Sequence, residues 1–98
     1  MTPLENYHRR VRELGCVICR RLGYGETPAS LHHIAKGSGL RSKWSVCPLC
    51  PTHHLGKAGF HTLGTERFCS LYHVPGEAEW GLLLFVIEDL AKYGSRLI

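Results

Sequence analysis

The chain has 98 residues, a net charge of +4, five cysteines and seven histidines. A chain of this length forms one domain with a thin hydrophobic core, which a metal ion or a partner chain often supplements. The longest apolar run, residues 80–87, is too short to span a bilayer, and the polar residues 1–12 contain no signal or lipid anchor. We therefore expect a soluble, cytoplasmic protein whose positive charge suits a polyanionic partner.

The start of the chain predicts a helix over residues 2–14. Thr2 can cap it and Glu5 stands where a capping box places its acid. The other faces of this helix carry basic residues, which can contact phosphates but more often form a solvated face. The candidates for DNA contact are Arg9 and Arg12.

Two short strands are predicted next, over residues 29–34 and 44–49, and they form an antiparallel hairpin. Arg20 and Arg21, in the loop before them, are expected to be exposed. The loop that joins the strands is basic, so it can contact a phosphate backbone without reading sequence, or it can be merely soluble. Its candidate contacts are Lys36, Arg41 and Lys43.

A short helix is predicted after His54, where Gly56 and Gly59 should end it early. Helices over residues 65–93 follow. Thr65 is expected to cap the first of them. That helix is predicted to bury Phe68, Leu71 and Tyr72.

The last helix is predicted over residues 77–93, and it has more apolar residues than one buried stripe needs. Such a helix either crosses the core or joins two protomers, and we favour a homodimer through it. Its predicted core face consists of Trp80, Leu83, Leu84, Ile87, Leu90 and Ala91, with Leu82, Phe85 and Val86 as additional apolar surface.

The cysteine spacing is typical of a zinc site. Zinc takes four sulfur or nitrogen ligands in a tetrahedron, and a Cys-x-x-Cys turn such as Cys16 to Cys19 supplies two of them. The second pair is either Cys47 with Cys50 or Cys50 with His53. We prefer Cys50 and His53, because Cys47 falls within a predicted strand, where it can be a small buried hydrophobe.

The adjacent histidines predict a catalytic centre. Side chains of neighbours on a strand point to opposite faces, so His32 and His33 cannot easily bind the same ion. One metal ligand and one general base is the natural division, since a neutral imidazole can serve either role. His54 directly follows the second zinc pair, so a closed zinc site would fix where its side chain projects.

His61 is a further candidate. If residues 54–61 formed one helix, His54 and His61 would lie roughly 10 Å apart along its axis, too far to share an ion. Gly56 and Gly59 allow the chain to turn back instead. His61 is then a third ligand or a phosphate contact, and the alternative is a plain surface histidine.

These motifs resemble the HNH, or His-Me finger, endonucleases that carry a zinc knuckle. The matching segments are Cys16-Val-Ile-Cys19, Leu31-His-His-Ile34 and Leu49-Cys-Pro-Thr-His-His54. More narrowly, the segments over residues 44–54, 59–64 and 68–72 resemble the Ref family of phage recombination-enhancement nucleases.

The resemblance implies an α+β protein, with a small zinc-stabilised ββα-metal (HNH) fold over residues 16–61 and flanking helices at both ends of the chain. It assigns the catalytic divalent ion to His32 and His54, with His61 as a tentative third ligand, and makes His33 the general base. It assigns structural zinc to Cys16, Cys19, Cys50 and His53. Ser45 occupies the place of the asparagine that usually orients the base, so another group must orient His33.

The sequence therefore predicts a metal-dependent DNA endonuclease with low sequence specificity, whose catalytic ion is magnesium, manganese or zinc. The strand preference is open, and a RecA filament is a candidate partner because Ref-like proteins act on RecA-coated DNA. The alternative is a non-catalytic zinc module that binds nucleic acid or protein. A zinc hydrolase of small molecules lacks support, because no Glu or Asp base accompanies the histidine pair.

Overall fold

The computed structural model describes residues 1–34 and 42–94. Two strands and several helices make a small α+β protein, as predicted. In these two segments, no helix is both long and apolar enough to cross a membrane. The elements in chain order are α1 (Pro3–Leu14), α2 (Val17–Arg21), β1 (Ser30–His33), β2 (Val46–Leu49), α3 (Pro51–His54), α4 (Phe60–Leu63), α5 (Thr65–Leu71), a short 3-10 helix (Pro75–Glu77) and α6 (Gly81–Tyr93).

Helix α1 begins as its sequence predicts. The Thr2 hydroxyl accepts the Glu5 amide at 3.1 Å, and the Glu5 carboxylate accepts the Thr2 amide at 3.1 Å. This capping box satisfies two amides that the first turn would otherwise leave unpaired. Val11 and Leu14 then point into the core, where α1 packs against β2 and α6.

The antiparallel hairpin is confirmed, although both strands are shorter than predicted. His32 pairs with Cys47 and His33 pairs with Val46. Because side chains alternate along a strand, His32 is buried and His33 is exposed. The predicted DNA contacts Lys36 and Arg41 fall outside the described residues.

The helices after β2 differ from the prediction. The helix predicted to follow His54 begins earlier, because Pro51 is well suited to a first helical position and Cys50 is its N-cap. Thr65 is the first residue of α5 rather than its cap, since Gly64 turns the chain there with φ 85°. Leu71 was predicted to be buried and is 56% exposed. The buried residues of α5 are Phe68 and Cys69, and Leu71 lies on a different side of the helix.

The prediction for the last helix is wrong in its start and in its buried face. Gly76 and Glu77 have φ values of 73° and 49°, so a continuous α-helix cannot run through them. The buried positions are Gly81, Leu82, Val86 and Asp89, whereas Trp80, Leu84, Ile87 and Ala91 are exposed.

An ion pair explains how α6 is rotated. Arg21 donates to both carboxylate oxygens of the buried Asp89 at 3.0 Å, and it also reaches Glu88 at 2.7 Å. A buried carboxylate must be paired, so this contact turns the Asp89 side of α6 inward.

Arg20 donates to the Leu14 carbonyl at 2.7 and 2.9 Å and lies 4.0 Å from the centre of the Tyr93 ring. The prediction that Arg20 and Arg21 are exposed is therefore wrong.

Candidate metal centres and nuclease site

Four side chains that the sequence singled out for zinc meet at one buried point. The Sγ atom of Cys19 lies 3.6 Å from that of Cys50 and 3.4 Å from His53 Nδ1. His53 Nδ1 also lies 3.2 Å from Cys50 Sγ and 3.6 Å from Cys16 Sγ. Cys47 is buried as well but does not belong to this cluster.

These separations fit a tetrahedral zinc ion. Zinc with bonds of about 2.3 Å to sulfur and about 2.0–2.1 Å to nitrogen sets its donor atoms about 3.6–3.8 Å apart. Burial raises the pKa of Cys16 to about 12, and it also raises the pKa of Cys19. A cation that binds between such thiols displaces their protons, which are released to solvent. Cys16, Cys19, Cys50 and His53 can therefore bind zinc.

Two tight turns deliver these ligands in pairs. Cys16 is the N-cap of α2, and its sulfur accepts the Cys19 amide at 3.5 Å. Cys50 is the N-cap of α3, which carries His53 in its first turn. Each pair spans one turn of backbone, so only the packing of α2 against β2 is needed to bring the pairs together.

A second cluster consists of His32, His54 and His61. One ring nitrogen from each lies within 4.8 Å of those from the other two. The Nε2 atoms of His54 and His61 are 3.1 Å apart. A cation bound by imidazoles at about 2.0–2.1 Å would hold neighbouring nitrogens roughly 3.0–3.4 Å apart, and the His54–His61 separation falls in this range.

The turn between His54 and His61 brings these two residues together. Helix α3 ends at His54 and α4 starts at Phe60, so the continuous helix that would separate the histidines does not form. Gly59 makes this turn possible: a Cβ there would lie 2.8 Å from the carbonyl carbon of His54. The chain therefore turns back between His54 and His61, as Gly56 and Gly59 indicate in the sequence.

The cluster favours neutral imidazoles. Burial is the largest cause that lowers the pKa of His32 to about 4, and the neighbouring His54 and His61 contribute to the same shift. Burial also lowers the pKa of His54, with a smaller effect from His61. A neutral imidazole keeps the lone pair that a metal ion needs.

An acidic residue that the sequence did not indicate also reaches this cluster. Glu79 Oε2 lies 2.7 Å from His32 Nε2, and the side chains of Glu79 and His32 are 2% and 3% exposed. The carboxylate favours a protonated ring and burial opposes it; because burial is nearly complete, we describe the contact as a hydrogen bond from a neutral imidazole. An acid therefore does accompany the histidine pair, contrary to the prediction. Glu79 is 47 positions from His32, and no local pattern marks it.

A cleft of about 340 Å³ opens onto the histidines. His32, His33, His61 and Glu79 line it, together with Phe60, whose ring centre lies 4.4 Å from that of His32. His33 therefore reaches the same cleft as His32 although the two point to opposite faces of β1. A substrate phosphate in this cleft would lie beside both the metal-ligand candidates and an exposed imidazole.

Ser45, in the place of the asparagine that would orient His33, precedes the strand that pairs with the strand of the histidine pair. Ser45 is buried just before β2, and its carbonyl accepts the Ile34 amide at 2.8 Å. The ring of His8, on α1, approaches that of His33 edge-on with 6.4 Å between centres. His8 Nε2 donates to the Lys43 carbonyl at 2.6 Å, which places Lys43 on this side of the protein.

The two candidate DNA contacts on α1 have different surroundings. Arg12 is exposed. Arg9 is half-buried, donates to Asn6 at 2.9 Å and lies 3.7 Å from Glu13. Arg12 is therefore freer than Arg9 to meet a phosphate.

Comparison with known proteins identifies the family. The model of a family described as recombination enhancement, RecA-dependent nuclease matches residues 5–84, which is more than half of the chain. The matched range includes both clusters and Glu79. No protein of curated function and no solved structure matches the chain. The chain belongs to the family of recombination-enhancement, RecA-dependent nucleases.

Proposed function

We propose that this protein is a metal-dependent endonuclease that hydrolyses DNA phosphodiester bonds with low sequence specificity. The observation that carries the proposal is the convergence of His32, His54 and His61 beside a cleft that His32, His33 and His61 line. Membership of a family of RecA-dependent nucleases supports both the nuclease activity and an association with RecA-bound DNA. We expect the protein to act in the cytoplasm, of a host cell if a phage encodes it.

In the proposed mechanism, His33 is the general base. It accepts a proton from a water molecule, whose oxygen then attacks the phosphorus while the bond to the leaving oxygen breaks. His32, His54 and His61 hold the divalent ion. When bound, that ion supplies positive charge against the negative charge that develops on the phosphate.

We further propose that Cys16, Cys19, Cys50 and His53 bind structural zinc, and that residues 16–61 form a ββα-metal (HNH) core within a single domain. Their order of two antiparallel strands followed by α3 is the order that this fold requires. Because His53 and His54 are adjacent on α3, zinc at His53 would also fix the direction of His54. The structural ion thus supports the catalytic one.

We propose that DNA lies across the surface beside His33. Lys43 is exposed and is held near His8, and Arg12 is exposed on α1. Arg9, Lys36 and Arg41 are further candidates. Contacts of this type bind the phosphate backbone, so affinity should fall steeply with salt and depend little on sequence.

A homodimer through α6 is proposed from its exposed apolar stripe. Trp80, Leu84 and Ile87 are 45%, 43% and 55% exposed, and their spacing places them on one side of the helix. Such a stripe can pack against its own copy across a two-fold axis. Light scattering should show a dimer that Ile87→Glu converts to a monomer. Leu71→Glu, an equally exposed leucine outside the stripe, should leave the dimer intact.

The nuclease proposal is tested by cleavage of supercoiled plasmid and of circular single-stranded DNA. The zinc-loaded wild type and His33→Ala are assayed with magnesium, manganese or no added ion, each with and without RecA. We expect ion-dependent cleavage by the wild type and a loss of about 100-fold or more in His33→Ala. His73→Asn, at an exposed histidine outside both clusters, is the control.

Two outcomes would contradict the nuclease proposal. Cleavage by His33→Ala at the wild-type rate would remove His33 from the mechanism. If the folded, zinc-loaded wild type binds DNA but cuts neither substrate under any condition, the chain is a non-catalytic zinc module.

A further inference from the structure

Glu79 lies in an unusual place for a carboxylate. It is one of two buried acidic residues in the described part of the chain. The other, Asp89, faces the guanidinium of Arg21, which neutralises it. Glu79 Oε2 lies 2.7 Å from Nε2 of His32, a candidate metal ligand. A buried carboxylate in hydrogen-bond contact with a candidate metal ligand can fix the orientation of that ligand.

The backbone before α6 is shaped to hold Glu79 there. Glu77 adopts a left-handed conformation with φ 49°, which non-glycine residues rarely take. A Cβ on Gly81 would collide with the carbonyl oxygen of Pro75, so the turn closes only with glycine at that position. The Glu79 carbonyl accepts the Leu82 amide at 3.0 Å, which ties the residue to the first turn of α6.

We propose that Glu79 is a positioning residue for the catalytic ion: it accepts the Nε2–H of His32 and thereby presents the other ring nitrogen of His32 to the ion. A neutral imidazole has one donor and one acceptor nitrogen, so a hydrogen bond at one nitrogen fixes which remains for the metal. Histidine ligands usually donate their second ring N–H to a carboxylate or carbonyl, which also makes them better ligands.

The geometry separates Glu79 from the ligands themselves. The group of donor atoms that lie within 4.8 Å of one another consists of His32, His54 and His61, and Glu79 is outside it. Glu79 therefore acts through His32. This role rests on the proposed ion site, so its test must also report on that site.

The test measures Co²⁺ binding by the zinc-loaded protein through the visible absorption of the bound ion. Removing a carboxylate that supports a histidine ligand typically weakens metal binding 10- to 100-fold. We expect that loss in Glu79→Ala and a smaller one in Glu79→Gln, whose amide oxygen still accepts the N–H. Glu77→Gln, at an exposed carboxylate in the same turn, should bind Co²⁺ like the wild type.

A purely structural role would not give the same pattern. If Glu79 positions His32, Glu79→Ala needs a higher Co²⁺ concentration than the wild type for half-maximal DNA cleavage, and excess Co²⁺ restores its rate. If Glu79 is only structural, Glu79→Ala has a lower unfolding midpoint but needs the same Co²⁺ concentration as the wild type for half-maximal cleavage. If Glu79→Ala does not fold, Glu79→Gln still gives the comparison, because it retains the size of the side chain.

The outcomes separate the two proposals. If the wild type binds Co²⁺ and cuts DNA while both folded Glu79 variants bind Co²⁺ within twofold of it, the role of Glu79 is refuted and the nuclease proposal stands. If the wild type binds no Co²⁺ beyond the sites that zinc fills, both the ion site and the role of Glu79 are refuted.

Discussion

Two buried cysteines that lie three residues apart allow a decisive test of the zinc ligands. Cys50 belongs to the Cys16, Cys19 and His53 cluster, whereas Cys47 lies three residues earlier on β2 and outside it. Both thiols are almost inaccessible to solvent. Alanine at either position removes the same atom from the interior, so only the role in metal binding distinguishes the two variants.

The expected difference is large. Structural zinc contributes about 10–16 kcal/mol of apparent binding free energy at neutral pH. If the four ligands contribute about equally, the loss of Cys50 costs roughly 2.5–4 kcal/mol, or an affinity for zinc that is about 70- to 900-fold weaker. Cys47→Ala loses only packing and should cost about 1 kcal/mol of unfolding free energy, with full zinc content.

The measurement is zinc content after purification, followed by a titration with a chelator of known affinity and thermal unfolding monitored by circular dichroism. Cys50→Ala should release zinc at a chelator concentration that leaves Cys47→Ala loaded, and it should unfold as the zinc leaves. The assignment is refuted if Cys47→Ala loses zinc and Cys50→Ala keeps it. Equal, wild-type zinc affinity in both variants would show that no zinc is bound at this cluster.

Two further predictions concern the packing that supports the site. Asp89→Ala should lower the free energy of unfolding by about 3–5 kcal/mol in urea titrations, because it leaves the Arg21 guanidinium partly buried without its main partner. Glu88→Ala, at a half-exposed carboxylate on the same arginine, should cost under about 1 kcal/mol, and equal effects would contradict the importance of burial. Gly59→Ala should weaken Co²⁺ binding and destabilise the protein by about 1–3 kcal/mol, because its Cβ would force His61 away from His54. Gly94→Ala, where the Cβ meets only ordinary contacts, should change neither, and unchanged Co²⁺ affinity in Gly59→Ala would show that the turn does not set the histidine geometry.

Features set by short-range patterns could be read from the sequence. The capping box of α1 depends on Thr2 and Glu5, three positions apart, and it forms as predicted. The Cys-x-x-Cys and Cys-x-x-His spacings place each pair of candidate zinc ligands on one turn. The alternation of a strand separates buried His32 from exposed His33. In each case the backbone geometry of a few consecutive residues fixes where the side chains point.

The face that α6 buries was not readable in this way. Apolar residues occur on several sides of the helix, so its periodicity did not select one. The choice depends on Arg21 in α2, 68 positions from Asp89, whose ion pair turns one side of the helix inward. The predicted stripe of Trp80, Leu84 and Ile87 consequently faces solvent.

The sequence by itself determined the ligand pairs, the hairpin and the family resemblance, because each rests on residues that are neighbours along the chain. Only the tertiary structure decided that His61 joins His54, that Cys47 stays outside the sulfur cluster and that Glu79 lies against His32. Those contacts join separate elements, and their geometry depends on how the whole chain packs. A carboxylate 47 positions from its histidine therefore becomes visible as part of the site only when the fold brings the two together.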